Sequence, residues 1–231
     1  MSARRSILVP GLRERGQRGE RGERGVILLE TALVVVLLLT LVVATFEVGM
    51  GWRSSITNSN AARAGARVES YQGTGYQADY SALLSVNAGL TSVSRATITR
   101  VIVFKATSGS STVPASCLAL TPSVASSTPT GVNTATVKCN VYSGTQIANI
   151  ASGTITSTNF GNGSNTSAAC TNTKLDYYWC PFGRSNDQAA GLDYVGVYVE
   201  INHASFSRMF GSTFTIKDTE IMQIEPSATG A

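Results

Sequence analysis

From Val26 to Val43 the chain is hydrophobic at every position except Glu30, Thr31 and Thr40. An unbroken run of this kind predicts a helix that is apolar on all sides. Carried on through Phe46, it approaches the roughly 30 Å of a bilayer core at about 1.5 Å per residue. The helix does not stop there, because "NSNAARAGARVES" (Asn58 to Ser70) lacks proline and is rich in alanine. It predicts a continuous helix to about Ser70. Ala61 with Gly65, and Ala62 with Ala66, place small residues on one face, where a sheet or partner helix can come close. Arg63 and Arg67 point elsewhere. Gly49 and Gly51 mark a weak point at which the helix could bend. Ahead of the apolar run there is no periodicity, so residues 1–25 are expected to be disordered. Gly16, Gly19, Gly22 and Gly25 recur every third residue, but four triplets without proline cannot hold a triple helix.

The pattern changes after "QGTG". "YQADYSALLSV" predicts a short second helix, and "TITRVIVFKA" (Thr97 to Ala106) is β-branched and predicts a strand. "TATVKCNVY" (Thr134 to Tyr142), "DYVGVYVEINHASF" (Asp193 to Phe206) and "STFTIKDTEIMQIEP" (Ser212 to Pro226) predict three more, with Pro226 ending the last. In the third, Tyr194, Gly196, Tyr198 and Glu200 alternate with Val195, Val197, Val199 and Ile201, which predicts one buried face and one wetter face. Residues 107–133 are rich in Ser, Thr and Pro, and residues 143–190 are poor in hydrophobics; both are expected to be long loops. A long helix, a short helix and about four strands make an α+β fold, with an antiparallel sheet on the helix.

Charge refines this picture. Of the 231 residues, the first 25 hold seven arginines and three glutamates, whereas residues 26–231 are balanced at eleven of each sign. The excess positive charge lies wholly ahead of the apolar run, so a basic nucleic-acid-binding body is not indicated. By the positive-inside rule the N-terminus stays in the cytoplasm, the apolar run spans the membrane once, and the remainder is exported, with Trp52 at the far interface. The expected divisions are a basic leader at 1–25, a membrane span at 26–51 and an exported domain at 52–231.

The four cysteines, Cys117, Cys139, Cys170 and Cys180, fall in the exported part and contain no Cys-x-x-Cys pair, which argues against zinc. Two disulfides fit an oxidising compartment, and three connectivities are possible. The sequential pairing, Cys117–Cys139 and Cys170–Cys180, is favoured because each bond then staples a loop. No catalytic motif, metal set or cofactor motif is present. The single histidine, His203, reads as a surface or core residue in a strand. Asp176, Asp187 and Asp193 read as solvated loop charge. "DYYWCPF" (Asp176 to Phe182) reads as a contact surface or as packing around a disulfide, and Asn162 and Asn165 begin sequons.

Glu30 requires a reason, since a carboxylate in a membrane span is costly. If a peptidase cuts after Gly25, Val26 becomes a positive N-terminus and Glu30 the fifth residue of the new chain. The helix dipole favours the charge there. Paired with a terminal amine in a helical bundle, it would also set the axial register.

This layout resembles type IV prepilins. "GVILLETALVVVLLL" from Gly25, "FEVGMG" from Phe46, "AARAGARVES" from Ala61 and the closing "IMQIEP" narrow the resemblance to TadE-like pseudopilins of tight-adherence pilus systems. The resemblance implies cleavage between Gly25 and Val26 by a membrane prepilin peptidase, with Glu30 as the assembly glutamate and Glu47 on a second acidic position. It also implies a bacterial plasma-membrane location. The implied partners are that peptidase, other pilins, pilus assembly platform proteins and membrane lipid; neither nucleic acid, nor a cofactor, nor enzymatic activity is implied. Two other layouts remain open. One is a secreted domain cut after Ala44, although the apolar run exceeds the usual 7–15 residues of a signal peptide and carries an acid. The other is an uncut membrane anchor bearing an external binding domain.

Overall fold

The computed structural model describes residues 17–161, 170–208 and 211–226. The chain forms two compact units, Met1–Val48 and Gly49–Ala231. Helix α1, Gln17–Gln72, contributes to both. Residues 17–25, expected to be disordered, are helical; extending a helix that already exists costs little compared with nucleating one. The earlier part of the leader lies outside the described residues. Gly49 and Gly51 do not interrupt the helix. A Cβ at Gly51 would meet the ring of Phe214 at 3.2 Å, so the glycine serves close packing there.

The second unit is a sheet covered by helices. After α1 come α2 (Ala78–Leu90), β1 (Ala96–Ala106), a one-turn α3 (Ala115–Leu118), β2 (Gly131–Asn133) and β3 (Lys138–Ser143). Then follow α4 (Gly144–Ala151), two 3-10 turns at Ser157–Asn159 and Pro181–Gly183, β4 (Tyr194–Ala204) and β5 (Thr213–Gln223). The sheet order is β2-β3-β1-β4-β5, and all its pairings are antiparallel. The α+β reading therefore holds, with one strand more than the four expected: β2 is three residues long and lay within the segment read as loop.

Small residues on α1 allow close approach on one face. Ala61, Ala62 and Ala66 are buried. A Cβ at Gly65 would stand 2.6 Å from Val86 Cγ2 of α2 and 3.3 Å from Val197 Cγ1 of β4. A Cβ at Gly89 of α2 would stand 3.0 Å from that of Ala61. Helix and sheet thus meet α1 along the stripe of small residues. The main core lies between them, with Val101, Val103, Val197, Val199, Ile201 and Leu83 at its centre. Polar residues of α1 reach the strands too: Asn58 Nδ2 donates to the Val199 carbonyl (3.2 Å) and Ser70 Oγ to the Gln223 carbonyl (2.6 Å).

The opposite face of the sheet is not the wet face that the alternation in β4 predicted. Ile102, Phe104, Cys139, Val141 and Tyr198 form a second core there, with Cys117 and Leu118 packed on it. The Ser/Thr/Pro-rich excursion between β1 and β2 folds over these strands and supplies the cover. The Cys117–Cys139 bond fixes it to β3. Arg100 fixes it to β1, donating from Nη1 to the Leu118 carbonyl at 2.7 Å. Under this cover Glu200 accepts from Tyr198 Oη (2.6 Å) and from Arg100 Nη2 (3.0 Å). Burial alone would raise the Glu200 carboxyl, but these donors and charges hold it below the usual carboxylate range. The period of two was correctly legible; that a polar sequence would cover the second face was not.

The segment between β3 and β4 also departs from expectation. It is not a loose loop, because Ile147, Ile155, Phe160, Leu175 and Trp179 all enter the main core. Its first part is α4, which opens with a capping box. Ser143 Oγ accepts from the Gln146 backbone N–H (3.2 Å), and Gln146 Oε1 accepts from the Ser143 N–H (3.1 Å). The second disulfide, Cys170–Cys180, closes a turn within this segment. Both bonds follow the sequential pairing. The sequons at Asn162 and Asn165 lie outside the described residues.

Candidate functional site: the apolar helix and a buried charge cluster

Among the described residues the apolar part of α1 is exposed from Val26 through Val42. Val26 is 64% exposed and Leu33 67%. Its hydroxyls are satisfied on the helix itself: Thr31 Oγ1 donates to the Ile27 carbonyl, Thr40 to Leu37 and Thr45 to Leu41, each at 2.8 Å. Such internal satisfaction is what a hydrocarbon environment demands. Among the described residues this is the one helix long and apolar enough to cross a membrane. Gly25 has open space where a Cβ would stand, and Glu30 is exposed, a little more than one turn beyond Val26. Glu47, by contrast, is 4% exposed, despite the apolar residues around it in sequence being exposed.

In the second unit a constellation appears that the pattern of the chain did not predict. Arg184, in the segment before β4, is fully buried and shared between two carboxylates. Its Nη1 donates to Glu69 Oε2 from the end of α1, and its Nη2 to Asp79 Oδ1 from the first turn of α2. The guanidinium also lies over the Trp179 ring, 4.3 Å from its centroid. The other oxygen of Asp79 accepts from Tyr142 Oη (2.5 Å) and Asn140 Nδ2 (2.8 Å), both on β3. Asn140 holds the backbone of Trp179 as well, accepting from its N–H (2.9 Å) and donating to its carbonyl (3.0 Å). Asp176, read as a solvated loop acid, is buried; its Oδ2 accepts from the Gly161 N–H at 3.0 Å.

The electrostatics are unequal across the cluster. Desolvation, reinforced by the charge of Asp79, pushes the Glu69 carboxyl up to about 8. The same two causes push Asp176 up to about 7. Burial opposes the charge on Arg184, but Asp79 and Glu69 outweigh it and the guanidinium holds its proton more firmly than usual. Burial and the neighbouring Asp79 also raise the Tyr142 phenol. Asp79 carries most of the donors, accepting from Arg184, Tyr142 and Asn140.

The other residues singled out in the sequence separate. His203 is a core residue, its Nδ1 3.0 Å from Ser54 Oγ and its ring against Phe214. Asp193 pairs with Lys105 at 2.6 Å, and Asp187 caps a turn through the Ala189 N–H. In "DYYWCPF", Asp176 and Trp179 are buried whereas Tyr177 and Phe182 remain partly exposed. The stretch is therefore mainly packing around a disulfide. No group of three or more metal-ligating side chains occurs among the described residues.

Glu69 could have been found from the chain, since it lies three residues beyond Ala66 and seven beyond Ala62 on the small, buried stripe. Asp79 carries a weaker signal, as an acid in a helical first turn. Arg184 has no local signal, because its partners are 105 and 115 residues away.

These features define a class: an α+β domain that follows, in one chain, an exposed apolar helix long enough to cross a membrane. The N-terminal segment is more specific. Residues 25–67 match the family model of TadE-like proteins, so the resemblance read from the sequence is that of a TadE-like segment beginning at Gly25. No curated protein and no solved structure matches the chain.

Proposed function

We propose that this chain is a minor pilin or pseudopilin of a tight-adherence pilus, acting in assembly and not in catalysis. The observation that carries this reading is a coincidence of position. The TadE-like match begins at Gly25, where the apolar helix with its unburied side chains also begins, and Glu30 stands five residues on. On this reading a prepilin peptidase cuts between Gly25 and Val26, leaving the basic residues in the cytoplasm and the disulfide-bearing domain outside. Glu30, deprived of water once the helix joins a bundle, pairs with a terminal amine and sets the register of one helix against its neighbours. The partners are then other pilins and the assembly platform in the plasma membrane.

Substitution of Glu30 tests this reading. With Glu30→Ala, membrane insertion and cleavage proceed, and incorporation into sheared pilus fractions, or pilus yield, falls by tenfold or more. Pili unchanged in amount and composition would remove the register argument. A domain released to the medium beginning at Thr45 would instead identify a secreted protein.

A further inference from the structure

We propose that Glu69, Asp79, Asp176 and Arg184 form a proton-gated latch that holds the segment 170–193 against α1 and α2. The argument starts from donors and acceptors. One cation faces three buried carboxylates. Asp79 accepts from Arg184, Tyr142 and Asn140. Glu69 accepts from Arg184 at Oε2, and Asp176 from Gly161 at Oδ2. Glu69 Oε1 and Asp176 Oδ1 are buried without a protein donor among the described residues. Ionising all three acids would leave an excess of two negative charges in a region stripped of solvent. A proton on each orphaned oxygen removes that excess, so the closed latch is the protonated one.

The groups around the cluster come from each neighbouring element: Glu69 faces Asp79 from α2, Tyr142 from β3 and Arg184 from the segment itself, while Asp176 faces Asp79, Tyr142 and Arg184. Glu225, beyond β5, is exposed to solvent and Asp193 is engaged with Lys105, so neither supplies compensating charge. Tyr142 donates to Asp79 and adds no positive charge.

The cluster ties this segment to its surroundings, beside the bonds of Asn140 to the Trp179 backbone and of Lys105 to Asp193. Arg184 joins it to α1 and α2, and Asp176 to the backbone at Gly161. The Cys170–Cys180 bond keeps the turn intact when these contacts open. Opening lets the acids ionise in water and releases their protons, so the opened population rises with pH. It levels off once the acids also ionise in the closed state. What opens is a specific surface: Trp179 and Leu175 leave the core, together with the face of α1 around Glu69. The exported domain thereby presents different surfaces at acid and alkaline pH without losing its sheet.

Hydrogen exchange of the full chain in detergent micelles, followed by mass spectrometry from pH 5.5 to pH 8.5, tests the latch. After correction for intrinsic exchange, protection in peptides covering 174–185 should fall by up to about tenfold per pH unit per proton released, then level off above about pH 8. Protection in β1 and β4 should exceed it throughout and remain when the segment has opened. Glu69→Gln should flatten the dependence, and Asp176→Asn serves if that variant does not fold. Protection of 174–185 that is independent of pH in the unaltered chain would overturn the proposal. So would loss of protection in β1 and β4 to the same extent as in the segment.

Discussion

Replacing Arg184 by methionine removes the cation of the buried cluster while keeping most of the side chain's apolar volume. Asp79 would keep Tyr142 at 2.5 Å and Asn140 at 2.8 Å, but its charge would lose the guanidinium, as would Glu69. Removing one partner of a buried ion pair costs about 3–5 kcal/mol because the remaining charge stays in the dry interior. Against the roughly 5–15 kcal/mol that holds a typical domain together, that is a large fraction. The stacking of Arg184 on Trp179 is lost as well. A second substitution separates charge from packing. In Asp79→Asn with Arg184→Met the carboxylate left unpaired at Asp79 is gone as well, so the loss should shrink to less than half that of Arg184→Met alone. The assay is a urea titration of the full chain in detergent at pH 7, followed by tryptophan emission, with each variant referred to the unaltered chain. A loss under about 1 kcal/mol for Arg184→Met would mean that the cluster is solvated or easily rearranged. An equal loss in the double variant would assign the effect to packing and refute the electrostatic account.

Further outcomes follow from the same contacts. Glu69 and Asp176 bind protons more tightly folded than unfolded, so their contribution is complete at low pH and declines as pH rises. The decline runs from the ordinary carboxylate range to about 8 for Glu69 and about 7 for Asp176. The melting temperature should therefore be higher at pH 5.5 than at pH 8, and Glu69→Gln should reduce the difference; the reverse order would contradict the protonated state assigned here. Glu200 has the opposite sign, its carboxyl being held low, so its contribution is lost as the solution becomes strongly acidic. Gly196→Ala would place a Cβ 2.2 Å from the Phe104 ring and should destabilise the domain by about 1–3 kcal/mol, read from the midpoint of a urea titration. Replacing Cys117 and Cys139 together by serine should cost about 2–4 kcal/mol and make the segment 107–130 the first site cut by added protease.

How far the chain could be read depended on whether the determining contacts were local. The long helix, the second helix and the four longer strands are periodic over enough residues to declare themselves. Their observed bounds differ from the expected ones by a few residues at most ends. The small stripe from Ala61 to Ala66 announced a close approach, and α2 and β4 make it. The failures lie where polar sequence takes on a structural task. The covering segment between β1 and β2 has little hydrophobic pattern, but it is fixed by one disulfide and by Arg100. Helix α4 was missed although Ser143 and Gln146 stand at capping-box spacing before "IANI". Asp176 and Arg184 are buried by partners far along the chain, and no window of local sequence distinguishes such residues from solvated loop charges. Gly25, Val26 and Glu30 differ in kind: what is proposed for them rests on the order of residues at one junction, and the contacts of the folded domain do not bear on it.

The identity of the first residue of the chain recovered from membranes tests the central claim most directly. It should be measured by N-terminal sequencing after expression alongside an active prepilin peptidase. The account predicts a chain beginning at Val26, with Glu30 as its fifth residue. A chain beginning at Thr45, or one still beginning at Met1 while the peptidase cuts another prepilin in the same cells, would contradict it.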